Sequence, residues 1–470
     1  MDRARMADLL AWLQAPRRRP LVLRGARQVG KTWLVRDLAR RTGRDLVELN
    51  FERDPRLARP FASSDPRHVV GEIGLALGRD VTADRSLLFL DEIQAAAGVL
   101  ASLRWFAEEM PDLPVIAAGS LLDFALGDPR HAMPVGRISF LHVEPMGFPE
   151  YLGAHGEVRL LERLAAWRPP EPMSSAAHER ARTWFRRYAM VGGMPAVVAA
   201  DVEGARARAC RELQRDLVAT YRADFARYAG RMDRDVIDGT LHAVARSLGR
   251  KFVYARAGEG VTAQQAKRAL DLLAAARLCH LVRYSAANGL PLEGEAKDTF
   301  RKAVLVDVGV FHALSDTSAA DRFPSWADLA PQVRGQLMDQ LAGQALRLGG
   351  DAHGDGPLLH YWQREGGRPG EIDYLIQAGG RIVPVELKAG TAGAMKSLHQ
   401  FMFDKKLPLA VRIDENPPSS MAVAVKTTLG NPVRYRLLGL PAYLAWRAAE
   451  LAQSAGSTPK RRTARPSNRP

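Results

Sequence analysis

Leu21-Val22-Leu23-Arg24-Gly25-Ala26-Arg27-Gln28-Val29-Gly30-Lys31-Thr32 is an apolar run that feeds a glycine-bounded loop, followed by Trp33 to Ala39 with apolar residues at helical spacing. Gly25, four variable residues and Gly30-Lys31-Thr32 form the G-x-x-x-x-G-K-[ST] pattern of a phosphate-binding loop. Each residue type has a mechanical reason to be there. The glycines let the backbone N–H groups from Gly25 through Ala26, Arg27, Gln28, Val29 and Gly30 turn inward around a phosphate. A helix opening at Lys31 sets its positive dipole end beneath the same oxygens. Lys31 is expected to reach the β- and γ-phosphates of a nucleotide, and Thr32 to offer its hydroxyl to Mg²⁺.

Working outward, Ala4 to Leu13 reads as an amphipathic helix and Leu46 to Phe51 as a second strand. Ser86-Leu87-Leu88-Phe89-Leu90-Asp91-Glu92 reads as a buried strand ending in two acids. Asp91 is expected in the Mg²⁺ shell, and Glu92 to polarise the water that attacks the γ-phosphate. Val99 to Met110 reads as a helix and Pro114 to Ser120 as a third strand, with Ser120 at its polar end as a candidate γ-phosphate sensor. Strands alternating with helices predict an α/β fold with a parallel sheet, and ligands at the strands' carboxyl ends.

Met133-Pro134-Val135-Gly136-Arg137-Ile138-Ser139-Phe140, then Val143-Glu144-Pro145-Met146-Gly147-Phe148-Pro149-Glu150-Tyr151-Leu152, resembles the end of the ATPase core in a prokaryotic AAA+ family. Members carry a C-terminal domain of unknown function that looks like a restriction-endonuclease fold. The resemblance implies a P-loop AAA+ core over residues 1–155 and ATP as the nucleotide. It also implies a homo-oligomer in which a neighbouring subunit's arginine completes the site. Arg137 is the candidate for that arginine, with Arg104 second.

The Pro-rich stretch Arg168-Pro169-Pro170-Glu171-Pro172 marks a loop. Residues 156–232 then read as a helical connector, with the turn Val191-Gly192-Gly193-Met194-Pro195 and a long charged helix from Asp201 to Tyr228. The aromatics Trp184, Phe185 and Tyr188 are better read as core than as a base-stacking platform. Residues 233–325 read as a winged helix: helices Val236–Leu248 and Thr262–Ala276, then strands Leu278–Tyr284 and Phe300–Val306 around Asn288-Gly289. A winged helix used on DNA would present Gln264, Gln265, Lys267 and Arg268; one used for packing would not.

In residues 326–450, Glu371 to Ile376 and Arg381 to Lys388 flank the Gly379-Gly380 turn and predict a hairpin. Strand alternation puts Glu386 and Lys388 on one face, where Asp373 of the paired strand can meet them. An acid followed by Glu-x-Lys on the next strand resembles the PD-(D/E)xK nuclease constellation. In it two carboxylates bind Mg²⁺ and the lysine positions water. By the same resemblance Asp339 is the extra acid of the preceding helix and Gln400 an accessory polar group on the next. The leading Pro-Asp dipeptide is missing, and Asp339 replaces the family's usual glutamate. A degenerate site that binds DNA without cutting it is therefore an alternative to an active nuclease. Residues 451–470 read as a disordered basic tail.

The whole chain of 470 residues has a formal charge of +15, which suggests an anionic partner, most simply DNA. Only 11 of its 67 basic residues are Lys, so a GC-rich coding sequence is a second source of the charge. Cys210 and Cys279 have no zinc-site spacing and cannot make a disulfide framework. The start lacks a signal peptide's apolar core and no run reaches transmembrane length, so a cytoplasmic location away from membranes is expected. The leading reading is an ATPase working on DNA. Its rivals are an ATP-gated nuclease and a nucleotide-dependent switch that does not use DNA.

Overall fold

The computed structural model describes residues 1–96, 98–119, 136–228, 232–315, 326–354, 356–364, 370–390 and 393–456. The N-terminal unit is built on five parallel strands in the order β2-β3-β4-β1-β5: β1 (Leu21–Arg24), β2 (Asp45–Asn50), β3 (Ser86–Asp91), β4 (Val115–Ala118) and β5 (Ser139–His142). All residues of β3 and β4 are buried, because helices cover both faces of the sheet. On one face Val22, Leu88, Leu90 and Ala117 pack against the helices Pro66–Leu77 and Val99–Glu109. On the other, Leu23, Phe89 and Ile116 join Leu34 and Leu38 of the helix Lys31–Thr42, in a core continuous with the rest of the chain. The strand-helix alternation read from the sequence is thus the observed α/β unit.

After β5 the chain is helical: Phe148–Ala154, Val158–Ala166, Ser175–Val191, Pro195–Val202 and Ala207–Tyr228. Phe185 and Tyr188 are buried against Phe148 and Tyr151, so these aromatics are core, as read. The long helix expected from Asp201 is two helices, with a turn at residues 203–206 between them. Gly192-Gly193 marks close approach: a Cβ on Gly192 would lie 2.2 Å from Asp307 Oδ1. The Gly193 N–H donates to Asp307 Oδ2 at 2.7 Å.

Helices Arg234–Arg246 and Ala263–Ala275 follow, the second opened by Thr262 in a reciprocal cap with Gln265. Next come β6 (Cys279–Ser285) and β7 (Ala296–Leu305), antiparallel as expected. Their connection is longer than an Asn-Gly turn: residues 286–295 intervene, and Glu295 accepts from the Asn288 N–H. This hairpin is not free-standing. β6 pairs in parallel with β8 (Leu359–Gln363), so β6 and β7 form one edge of the C-terminal sheet. That sheet continues through β9 (Glu371–Ala378), β10 (Arg381–Leu387), β11 (Leu409–Asp414), β12 (Ser419–Lys426) and β13 (Pro432–Pro441). Its order is β12-β13-β11-β10-β9-β8-β6-β7. The helices Pro331–Leu348 and Lys396–Lys405 pack on it. The chain stays ordered past residue 450: Leu451 and Ala452 are buried in a helix, Ala448–Gly456, where a disordered tail was read.

Candidate functional site: a nucleotide loop and an acidic cleft

The loop sits at the carboxyl end of β1, between β4 and β5. Gly25 has φ +155°, and a Cβ there would meet the carbonyl oxygen of Val143 at 2.2 Å, so no side chain fits. Gly30 lies at φ +90° directly before the helix Lys31–Thr42. Lys31 is buried, and its Nζ donates to the carbonyls of Gly25 and Ala26, at 2.9 Å each. Burial drives its pKa down to about 8, against the raising effect of Glu92 and Asp91. Thr32 Oγ1 donates to Asp91 Oδ2 at 3.0 Å, and Asn50 Nδ2 approaches the same oxygen at 3.4 Å. Burial, then the charge of Glu92, pushes the Asp91 carboxyl up. Glu92 stands at φ +51°, and its Oε2 accepts from Gln94 Nε2 at 2.5 Å.

Thr32 and Asp91 therefore present adjacent oxygen donors at the end of β3, a donor set suited to Mg²⁺. Lys31, Thr32, Asp91 and Glu92 lie together at this end of the sheet. Arg137 does not join them: it precedes β5 near the start of β1, at the other end of the sheet, and pairs with Glu108 at 2.7 Å. Arg104 pairs with that same Glu108 at 3.1 Å. Ser120 lies outside the described residues.

Arg3 and Tyr221, which the sequence reading did not single out, hold the loop together with the side chain of Arg27, which it named only for its backbone N–H. Arg3 donates to the Val29 carbonyl and the Glu144 carbonyl, at 2.7 Å each, and to Glu150 Oε1 at 2.9 Å. Arg27 makes a two-oxygen contact with Asp224 of the helix Ala207–Tyr228, at 2.8 and 2.9 Å. Tyr221, one turn earlier, donates to the Arg27 carbonyl at 3.2 Å. The side chain at one of the motif's variable positions thus ties the loop to the connector. Nothing local in the sequence signals a partner 197 residues away.

Beyond β5, Glu144 pairs with Arg347 and with His280 (3.4 Å), which joins the N-terminal unit to the helix Pro331–Leu348 and to β6. Burial would raise Glu144, but Arg347 and His280 outweigh it and hold the carboxyl well below its ordinary range.

The C-terminal acids meet across β9 and β10. Val385 pairs with Tyr374, which sets Glu386 beside Asp373. Lys388 Nζ donates to Glu386 Oε1 at 2.7 Å, and the Leu387 N–H donates to Asp373 Oδ2 at 2.7 Å. Burial, then Asp373, raises Glu386 to about 7. Asp339, buried on the helix Pro331–Leu348, accepts from the Tyr374 hydroxyl at 2.8 Å, and burial raises it to about 6. Gln400 donates to Asp404 at 2.7 Å. Glu386 Oε2 and Gln400 Oε1 are buried without a hydrogen-bond partner. A cleft of about 340 Å³ opens on Asp339 and Asp373, bordered by Gly249, Arg250, Gln332 and Gln336. Among the described residues, no three His, Cys, Asp or Glu side chains already converge as a metal cage. Nor is any of their helices long and apolar enough to cross a membrane.

An all-parallel sheet with a glycine-bounded loop after its β1 strand, and an acid pair at the end of β3, is the framework of a P-loop domain. Residues 17–152 match the family described as an AAA domain, which together with the sheet supports a P-loop AAA core. Residues 182–321 and 334–419 match two domains of unknown function, DUF8612 and DUF4143. None of the curated proteins matches the chain. Among solved structures, the Aeropyrum pernix Orc1 protein in complex with DNA is similar over 67% of this chain and 93% of its own, at 15% identity and a TM-score of 0.22.

Proposed function

We propose that this protein is an AAA+ ATPase that binds ATP with Mg²⁺ and hydrolyses it in work on DNA. The observation that carries the reading is the convergence of Lys31, Thr32, Asp91 and Glu92 at the carboxyl end of β1 and β3. Lys31, now on the loop carbonyls, would swing onto the β- and γ-phosphates. Thr32 and Asp91 would hold Mg²⁺, which supplies charge neutralisation on the phosphates when bound. Glu92 would take the proton of the attacking water once its bond to Gln94 is released. An arginine acting at this site would come from a second subunit of a homo-oligomer, Arg137 being the candidate because it is half-exposed. The test is ATP binding and turnover of the purified protein: Lys31→Ala is expected to lose binding. Retained binding in that variant would overturn the site.

The DNA reading rests on the charge of +15 and on the helix Ala263–Ala275, whose Gln264, Gln265, Lys267 and Arg268 are all exposed. This helix would be the recognition helix of the winged-helix segment. Lys267→Ala with Arg268→Ala should weaken DNA binding and flatten its salt dependence. Unchanged binding would leave a nucleotide-dependent switch that does not use DNA.

A second reading is favoured by Asp373, Glu386 and Lys388 meeting on one face with a buried, unsatisfied Glu386 oxygen. In it the C-terminal domain is an ATP-gated, metal-dependent nuclease of PD-(D/E)xK type. DNA cleavage with Mg²⁺ or Mn²⁺ that is lost in Glu386→Ala would support it. Absence of cleavage, with DNA retained by both proteins, would leave a domain that binds without cutting.

A further inference from the structure

Close to the acidic cleft, and outside the Asp…Glu-x-Lys pattern, lies a buried lysine. Lys302 is on β7, in the hairpin that precedes the C-terminal acids, and only 2% of it is exposed. Its ammonium pairs with Glu371, the first residue of β9, and stands 4.9 Å from the ring centre of Tyr361 on β8. Asp339 and Asp373 also act on its charge. Lys388 in turn pairs with Glu386. Glu386 Oε2 nevertheless remains buried and without a hydrogen-bond partner. A buried ammonium paired with Glu371, on which the charges of Asp339 and Asp373 also act, does part of what a bound cation would do there, and it does so permanently.

We infer that Lys302 is a positioning residue of the acidic cleft, an internal cation that holds Glu371, Asp339 and Asp373 together and weakens the cleft's grip on a divalent metal ion. The inference rests on reading the cleft as a metal site, and it explains why the acids gather there without forming a ready cage. A divalent ion entering the cleft must meet the repulsion of a fixed positive charge at low local dielectric. Removing that charge should tighten metal binding by about tenfold or more.

The experiment measures Mn²⁺ binding to the full chain by calorimetry, without nucleotide. Lys302→Met is expected to bind Mn²⁺ about tenfold tighter than the parent. Adding Glu386→Ala to Lys302→Met should abolish the gain, which locates it in the cleft. The pair Lys302→Met with Glu371→Gln, which restores the charge count, should return toward parental affinity. Unchanged or weaker binding in Lys302→Met, or a gain that survives Glu386→Ala, would overturn the inference. If Lys302→Met does not fold, Glu371→Gln is read alone: about tenfold weaker binding supports the inference, and unchanged binding refutes it. DNA cleavage is scored separately, so failure of the nuclease reading would be distinguishable from failure of the Mn²⁺ result.

Discussion

The buried Lys31 makes nucleotide affinity depend on pH in a way that can be worked out beforehand. Its ammonium is held at a pKa of about 8 by burial, whereas a lysine in water sits near 10.5. For a base, a lowered pKa means that the fold resists the charged form. In the nucleotide-free protein the group therefore loses its proton as pH rises through 8. ATP phosphates would reverse that preference and hold Lys31 charged, so binding above pH 8 must take up a proton. Affinity then follows the charged fraction, which is about 0.76 at pH 7.5 and about 0.09 at pH 9. The expected weakening is about eightfold, or roughly 1.2 kcal/mol, with proton uptake rising from about 0.2 to about 0.9 per nucleotide. Titration calorimetry in two buffers of different ionisation enthalpy reads both quantities at once. Lys31→Arg, charged throughout, should bind more weakly but with no slope over this interval. A flat parental profile between pH 7.5 and 9, with no proton uptake, would refute the argument that burial governs this lysine.

Glu92→Gln should still bind ATP but turn over roughly 10²- to 10⁴-fold more slowly, since the amide cannot accept the water's proton; parental turnover by phosphate release would remove Glu92 from that role. Gly25→Ala should cost about 1–3 kcal/mol and impair nucleotide retention, because its Cβ would sit 2.2 Å from the Val143 carbonyl oxygen; an unchanged melting temperature would contradict the close approach. Glu144→Gln strips the carboxylate from Arg347 and His280 and should cost about 3 kcal/mol in urea unfolding at pH 7. Because Glu144 has a depressed pKa in the fold, its contribution is present above pH 4.5 and is lost as the solution is acidified below that. The gap between parent and variant should therefore close in acid.

The N-terminal unit was legible because its signals are local. One loop pattern, one strand ending in two acids and a helix starting at Lys31 are each contained in a dozen residues, and parallel pairing then follows from the alternation of elements. The hairpin of β9 and β10 was legible for the same reason: period-two alternation around Gly379-Gly380 fixes which side chains share a face, and it put Glu386 beside Asp373. What stayed hidden were the partners brought by distant chain that belong to no motif. Arg27 is a variable position in the loop pattern, and only the fold shows that Asp224 holds it. Lys302 reads as one basic residue in an ordinary strand, and only the neighbouring strands make it a counter-ion.

The hairpin of β6 and β7 shows where local reading stops having force. Two helices followed by two antiparallel strands were read correctly as elements, and the strands were read as pairing with each other. Whether β6 also accepts a second neighbour depends on β8, some 75 residues further on, whose sequence says only that it is a strand. Strand edges are generic: backbone N–H and C=O groups pair with any strand that arrives in register. Here Val282 pairs with Leu359 and Tyr284 with Tyr361, and this junction carries Lys302 on β7 to the acids of β9. The pairing that makes the hairpin an edge of the C-terminal sheet is thus the same pairing that brings Lys302 within reach of Glu371. A change that separated β6 from β8 would therefore be felt first at Glu371, Asp339 and Asp373, before it disturbed the nucleotide loop.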